Sequence, residues 1–109
     1  MARTHEEIDA RSLAMHRLVA EKLWREPARF EKVRATLRGW RGTVPQNAQP
    51  YLDEWERLAS EGMDACLSVA TEDSERARAL RQCSPFVGIL TNRERFAFLS
   101  EWNRRHHAA

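Results

Sequence analysis

The chain has little of what usually marks a stapled, metal-bound or membrane protein. Its 109 residues include only two cysteines, Cys66 and Cys83, with no CxxC and no neighbouring Cys/His cluster. That excludes a disulfide framework and a zinc pattern. No stretch approaches the ~18 consecutive apolar residues of a membrane-spanning helix. The opening "MARTHEEIDARS" lacks the apolar core of a secretory leader. These absences predict a cytoplasmic protein with reduced thiols. Glycine and proline number four each, so each one is a candidate boundary. There is no internal repeat, no low-complexity tract, no glycine-rich phosphate loop, and no stretch that alternates with period two as a half-buried strand does.

What the chain does have is helix-forming material. Hydrophobic residues make up 42% and charged residues 31%, a balance that suits one globular domain spanning 1–109. A chain of this length buries roughly two-thirds of its unfolded surface, enough for a core without staples. The net charge of +2 hides an uneven distribution. Residues 1–50 carry +4, residues 51–75 carry −7 and residues 76–109 carry +5. An acidic middle between basic flanks predicts helices of opposite sign pairing internally, or two separate interaction faces.

The motifs arrange this material as an all-α bundle of about five helices. "THEE" is a T-x-x-E capping box that starts a first helix at Thr4, running to about Trp24. Pro27 fits the first turn of a second helix, in which Phe30, Val33, Leu37 and Trp40 recur at helical steps on one face. "GTVPQNAQP", from Gly42 to Pro50, reads as an internal linker. Pro50 opens a third helix whose apolar residues are Tyr51, Leu52, Trp55 and Leu58; Gly62 ends or kinks it. A fourth is expected from Met63 to about Gln82, with Glu72 and Arg76 as an i,i+4 pair. Pro85 stops it at Ser84. "TNRE" is a second capping box, with Thr91 as cap and Glu94 reciprocating, opening a last helix from Asn92 to about Arg105. Residues 106–109 are expected to fray. "SPFVGIL", 84–90, is thus an apolar connection between two helices, and its side chains either fill the core or meet a partner.

Four constellations bear on function. "RSLAMH" sets Arg11 and His16 at the R-x4-H spacing of HEPN-type ribonucleases, in which an arginine holds the scissile phosphate and a histidine moves a proton. Arginine is so abundant here that the spacing alone carries little. Arg34, Arg38 and Arg41 flank the apolar face of the second helix; with Arg104 and Arg105 they form the candidate surface of a nucleic-acid binder. The plainer reading of the same arginines is snorkelling over the core edge or pairing with the acidic third helix. Cys66, on an apolar face, reads as a small core residue. Adjacent His106 and His107 point to different sides of a helix, so no metal site is expected, and no cofactor.

The segments "THEEIDARSLAMHRLVAEKL", "QPYLDEWERL" and "RQCSPFVGILTNRERFAFL" together resemble a family of small, little-characterised bacterial helical proteins. The best-matching pattern is S-P-F-x-G-[IV]-L, present as Ser84, Pro85, Phe86, Gly88, Ile89 and Leu90; Cys83 stands where serine would be expected. The resemblance implies the antitoxin-like member of a two-gene unit whose partner is a nucleotidyltransferase-type protein, and carries no catalytic residues. The leading expectation is therefore a non-enzymatic binding protein that docks its partner through Phe86, Val87 and Ile89, with Arg93 and Arg95 at the rim and the acidic face of residues 53–64 as a second surface. The ribonuclease and nucleic-acid readings are the alternatives, and self-association is open.

Overall fold

The computed structural model describes residues 4–107. It is all-α, with helices α1 (His5–Arg25), α2 (Phe30–Trp40), α3 (Gln49–Glu61), α4 (Met63–Ala70), α5 (Glu75–Arg81) and α6 (Asn92–His107). Single 3-10 turns at Pro27–Arg29 and Gln46–Ala48 lead into α2 and α3. The molecule measures 44 × 32 × 23 Å. Among the described residues no helix is long and apolar enough to cross a membrane.

The Thr4 hydroxyl accepts from the Glu7 amide at 3.0 Å and caps α1. Phe30, Val33 and Leu37 of α2 are buried, and Trp40 packs at the core's edge. The expected linker is shorter than its composition suggests, since α3 begins at Gln49. α3 lies between α2 and α4, and α1 packs on α4 and α5. At the centre sits Trp55, fully buried, its indole N–H donating to the Leu80 carbonyl at 3.0 Å. Leu23, Leu52, Leu67 and Cys66 surround the same core. Gly62 joins α3 to α4 at φ 133°, a conformation that disfavours any side chain, so one residue ends one helix and starts the next.

The expected fourth helix is two helices. The Thr71 hydroxyl turns back onto the Leu67 carbonyl at 2.7 Å and ends α4. Ser74 then caps α5 by accepting from the Ala77 amide at 3.2 Å. Hydroxyl side chains that compete for backbone groups break the helix although its apolar spacing continues. The Arg81 guanidinium, itself buried, secures the break by donating to the carbonyls of Ala70 (3.1 Å) and Glu72 (2.8 Å). Glu72 still pairs with Arg76 at 3.5 Å across the start of α5. At the other end of the chain, α6 does not fray from 106; it is helical through His107, and residues 108 and 109 lie outside the described residues.

The connection 84–90 is a pair of tight turns. Ser84 accepts from the Phe86 amide at 3.3 Å, and Ile89 donates back to the Phe86 carbonyl at 3.3 Å. Gly88, at φ 83°, lets the chain reverse under the Lys32 side chain, whose Cε stands 3.0 Å from where a Cβ would be. Pro85, Phe86 and Ile89 turn inward, and Val87 turns out.

Candidate functional site

The surface that the core does not account for is α6 and the part of α1 beneath it. Every other α-helix places residues in the core, and no described side chain of α6 is buried. Its first turn is well made. Thr91 Oγ1 accepts from the Glu94 amide at 3.1 Å and Glu94 Oε1 accepts from the Thr91 amide at 2.8 Å, a complete capping box. The same Oε1 accepts from Lys22 Nζ at 2.6 Å. Lys22 is buried on α1, so this ion pair ties the first turn of α6 to the body. The lysine and the Thr91 amide together hold the Glu94 carboxyl at about 2, well below the ordinary carboxylate range.

Beyond that turn α6 presents aromatics. Phe98 stacks on Trp102 with ring centroids 6.1 Å apart, and Trp102 stacks on His106 at 3.8 Å. The Trp102 Nε1 is covered and has no acceptor among the described residues. Phe96 is 72% exposed, the most exposed large apolar residue among those described. Two clefts run beside the helix. One, of about 450 Å³, is lined by Ala14 and Leu18 of α1 with Phe98, Trp102 and Arg105 of α6. The other, of about 540 Å³, lies between α1, α5 and α6, and Arg11, Arg78, Arg81 and Arg95 all line it.

The residues expected from sequence fall unevenly on this surface. Phe86 and Ile89 are 4% and 3% exposed and belong to the core, not to a docking surface. Phe86 meets Trp55 and His16 edge-on at 5.5 and 5.8 Å, so the segment's aromatic anchor is spent inside the molecule. Val87 is exposed and borders a separate apolar depression with Trp40, Val44, Pro45 and Leu52. Arg93 and Arg95 are exposed on the first turns of α6, and Arg95 lines the basic cleft.

Arg11 and His16 do not share an open groove. Arg11 lines the basic cleft; His16 is buried. His16 Nδ1 lies 2.7 Å from the Ser12 carbonyl and Nε2 lies 2.8 Å from Ser84 Oγ. A carbonyl only accepts, so Nδ1 carries the proton and Nε2 receives the Ser84 hydroxyl. Burial, partly offset by the Ser12 carbonyl and aided by the Arg81 charge, lowers the pKa of His16. Both nitrogens are thus committed to pinning the 84–90 connection onto α1, which removes the general base that the ribonuclease reading needs.

The arginines of the nucleic-acid reading are also engaged, and on different faces. Arg34 donates to the Ala59 carbonyl at 2.9 Å and lies 5.0 Å over the Phe30 ring. Arg38 pairs with Glu31 at 3.1 Å and Arg41 with Glu56 at 2.5 Å, the second joining α2 to acidic α3. Arg104 and Arg105 both pair with Glu101, whose carboxyl they hold at about 2. On α3, Glu54 and Glu61 are taken by Arg57, so part of the acidic face is internally neutralised. Cys66 is fully buried, and burial pushes its thiol up to about 12. Among the described residues no group of three or more His, Cys, Asp or Glu is placed to hold a metal ion. Phe96 and Trp102 were legible only as apolar positions on a helix; that Phe96 stays exposed and Trp102 half-covered follows from tertiary packing. Comparison with known protein families, curated proteins and solved structures gives no match.

Proposed function

We propose that the chain is a non-enzymatic protein-binding module that docks through α6, as the antitoxin-like member of a pair whose other protein is of nucleotidyltransferase type and is held inactive by the contact. The observation that carries this reading is a 16-residue helix with no described residue in the core, tethered by the Lys22–Glu94 pair and presenting Phe96, Phe98 and Trp102. Phe96, exposed on the helix, is the kind of ring a partner's groove receives, and the half-buried Phe98–Trp102 stack lies on the α1 side of the same helix. Arg93 and Arg95, exposed beside it, supply a basic rim that suits an acidic or phosphate-binding cleft. The resemblance in sequence supplies the type of partner.

The test is co-expression with the neighbouring gene product, followed by affinity purification and gel filtration. The expected result is a single complex and relief of the partner's toxicity, with Phe96→Ala and Trp102→Ala each weakening binding by about tenfold or more. Failure to co-purify, toxicity that persists, or full binding by both variants overturns the reading. So does light scattering that finds α6 closed in a homodimer which the partner does not open.

A further inference from the structure

The basic cleft on the α5 side of α6 needs a separate account, since partner docking through the aromatics of α6 uses only Arg95 at its edge. We propose that this cleft binds a small molecule carrying a diphosphate group, gripped between Arg11 of α1 and Arg95 of α6. The proposal goes beyond the protein-binding reading; the two share Arg95, and pyrophosphate binding by the chain alone tests this one without the protein partner.

Four guanidiniums line the cleft against one lining carboxylate, that of Asp9, and Asp73 just outside it pairs with Arg78, leaving a positive excess of two. Arg78 and Arg81 are fixed in place, Arg78 by Asp73 at 3.1 Å and Arg81 by its two carbonyl acceptors. Arg17, Arg25 and Arg93, like Arg11 and Arg95, show no ion pair among the described residues, but none of those three lines this cleft. Arg34, Arg38, Arg41, Arg57, Arg104 and Arg105 each reach a glutamate. The side chains of Arg11 and Arg95 make no ion pair or hydrogen bond among the described residues, although both line one cleft from two helices. Like charges converging on a concavity repel unless an anion lies between them. The planar fork of a guanidinium matches phosphate oxygens in pairs, and several forks on different elements suit a group with two phosphoryls better than one.

The rest of the cleft argues for a small ligand over a polymer. Its volume of about 540 Å³ is that of a pocket for a small molecule. Ile8, Met15 and Leu99 give it an apolar wall, against which a ring or chain attached to the diphosphate can rest. A nucleic-acid strand needs a continuous basic track. Here the arginines of α2 and of the α6 C-terminus are neutralised by glutamates and lie away from the cleft.

Isothermal titration of the full chain with sodium pyrophosphate, at constant ionic strength, tests this. The expected result is saturable one-to-one binding, weakened about tenfold or more in the Arg11→Ala/Arg95→Ala double variant and unchanged in Arg104→Ala/Arg105→Ala. The single variant Arg95→Glu, on an exposed position, gives the same loss without touching α1. Circular dichroism establishes that each variant is folded. Absence of saturable binding overturns the proposal, as does equal binding by Arg95→Glu. Tighter binding of a single-stranded oligonucleotide than of pyrophosphate overturns it too, by showing that the arginines serve a longer track.

Discussion

Phe86 and Val87 are neighbours in sequence and opposites in environment, one 4% exposed and the other 62%. Phe86→Ala therefore removes a ring from between Trp55 and His16 and costs about 3–5 kcal/mol, whereas Val87→Ala stays within about 0.5 kcal/mol. Urea titration of the two variants measures the difference directly. The cysteines divide in the same way. Cys66 is buried with its thiol raised to about 12, and Cys83 is partly exposed at the end of α5. A thiol reagent added to the native protein is expected to modify Cys83 rapidly and Cys66 only after unfolding, read by peptide mass. That Cys66 fills the core was legible in the sequence, because a helix has a period and its apolar face is countable. Which residues of "SPFVGIL" face inward was not, because a chain reversal has no period: the outcome depends on Gly88 at φ 83° and on the hydroxyl–imidazole bond from Ser84 to His16, 68 positions away.

Helix boundaries were legible wherever a side chain caps the backbone locally. Both T-x-x-E motifs start helices, and the box at Thr91 and Glu94 is complete in both directions. Thr91→Ala is expected to cost about 0.5–2 kcal/mol and to loosen the first turn of α6. The break between α4 and α5 was hidden, because the apolar spacing runs through it and the competing bonds from Thr71, Ser74 and Arg81 act over short and long range together. How far α6 stands from the core was hidden as well, since its apolar residues resemble those of any packed helix. Its attachment through the buried ammonium of Lys22 makes a prediction at this scale. Lys22→Met removes the tether, and the amides of α6 then exchange roughly tenfold faster while those of α1 to α5 keep their protection, as hydrogen exchange followed by mass spectrometry will show.

For the molecule as a whole, charge placement sets the response to acid. The His16 pKa lies below its ordinary 6.5 in the folded state, so the unfolded chain binds the proton first as pH falls through about 6.5, and stability declines from there. Glu94 and Glu101, at about 2 when folded against about 4.5 when unfolded, contribute stability that is whole above 4.5 and lost between 4.5 and 2. Unfolding free energies measured from pH 8 to pH 3 are expected to fall in two stages, and His16→Gln should abolish the first while leaving the second. The Arg41–Glu56 pair was foreseeable from the acidic middle of the chain; the meeting of Arg11 and Arg95 at one cleft was not, because they lie 84 positions apart and only the placement of α6 beside α1 brings them to it. The four tryptophans fall into distinct surroundings: Trp55 is sealed, Trp40 and Trp102 are half-covered, and Trp24 stands in water. The protein therefore carries its own optical reporters. Emission from Trp102, isolated by subtracting a Trp102→Phe spectrum, should move to shorter wavelength when α6 is covered, so occupancy of the helix can be followed in solution without a label.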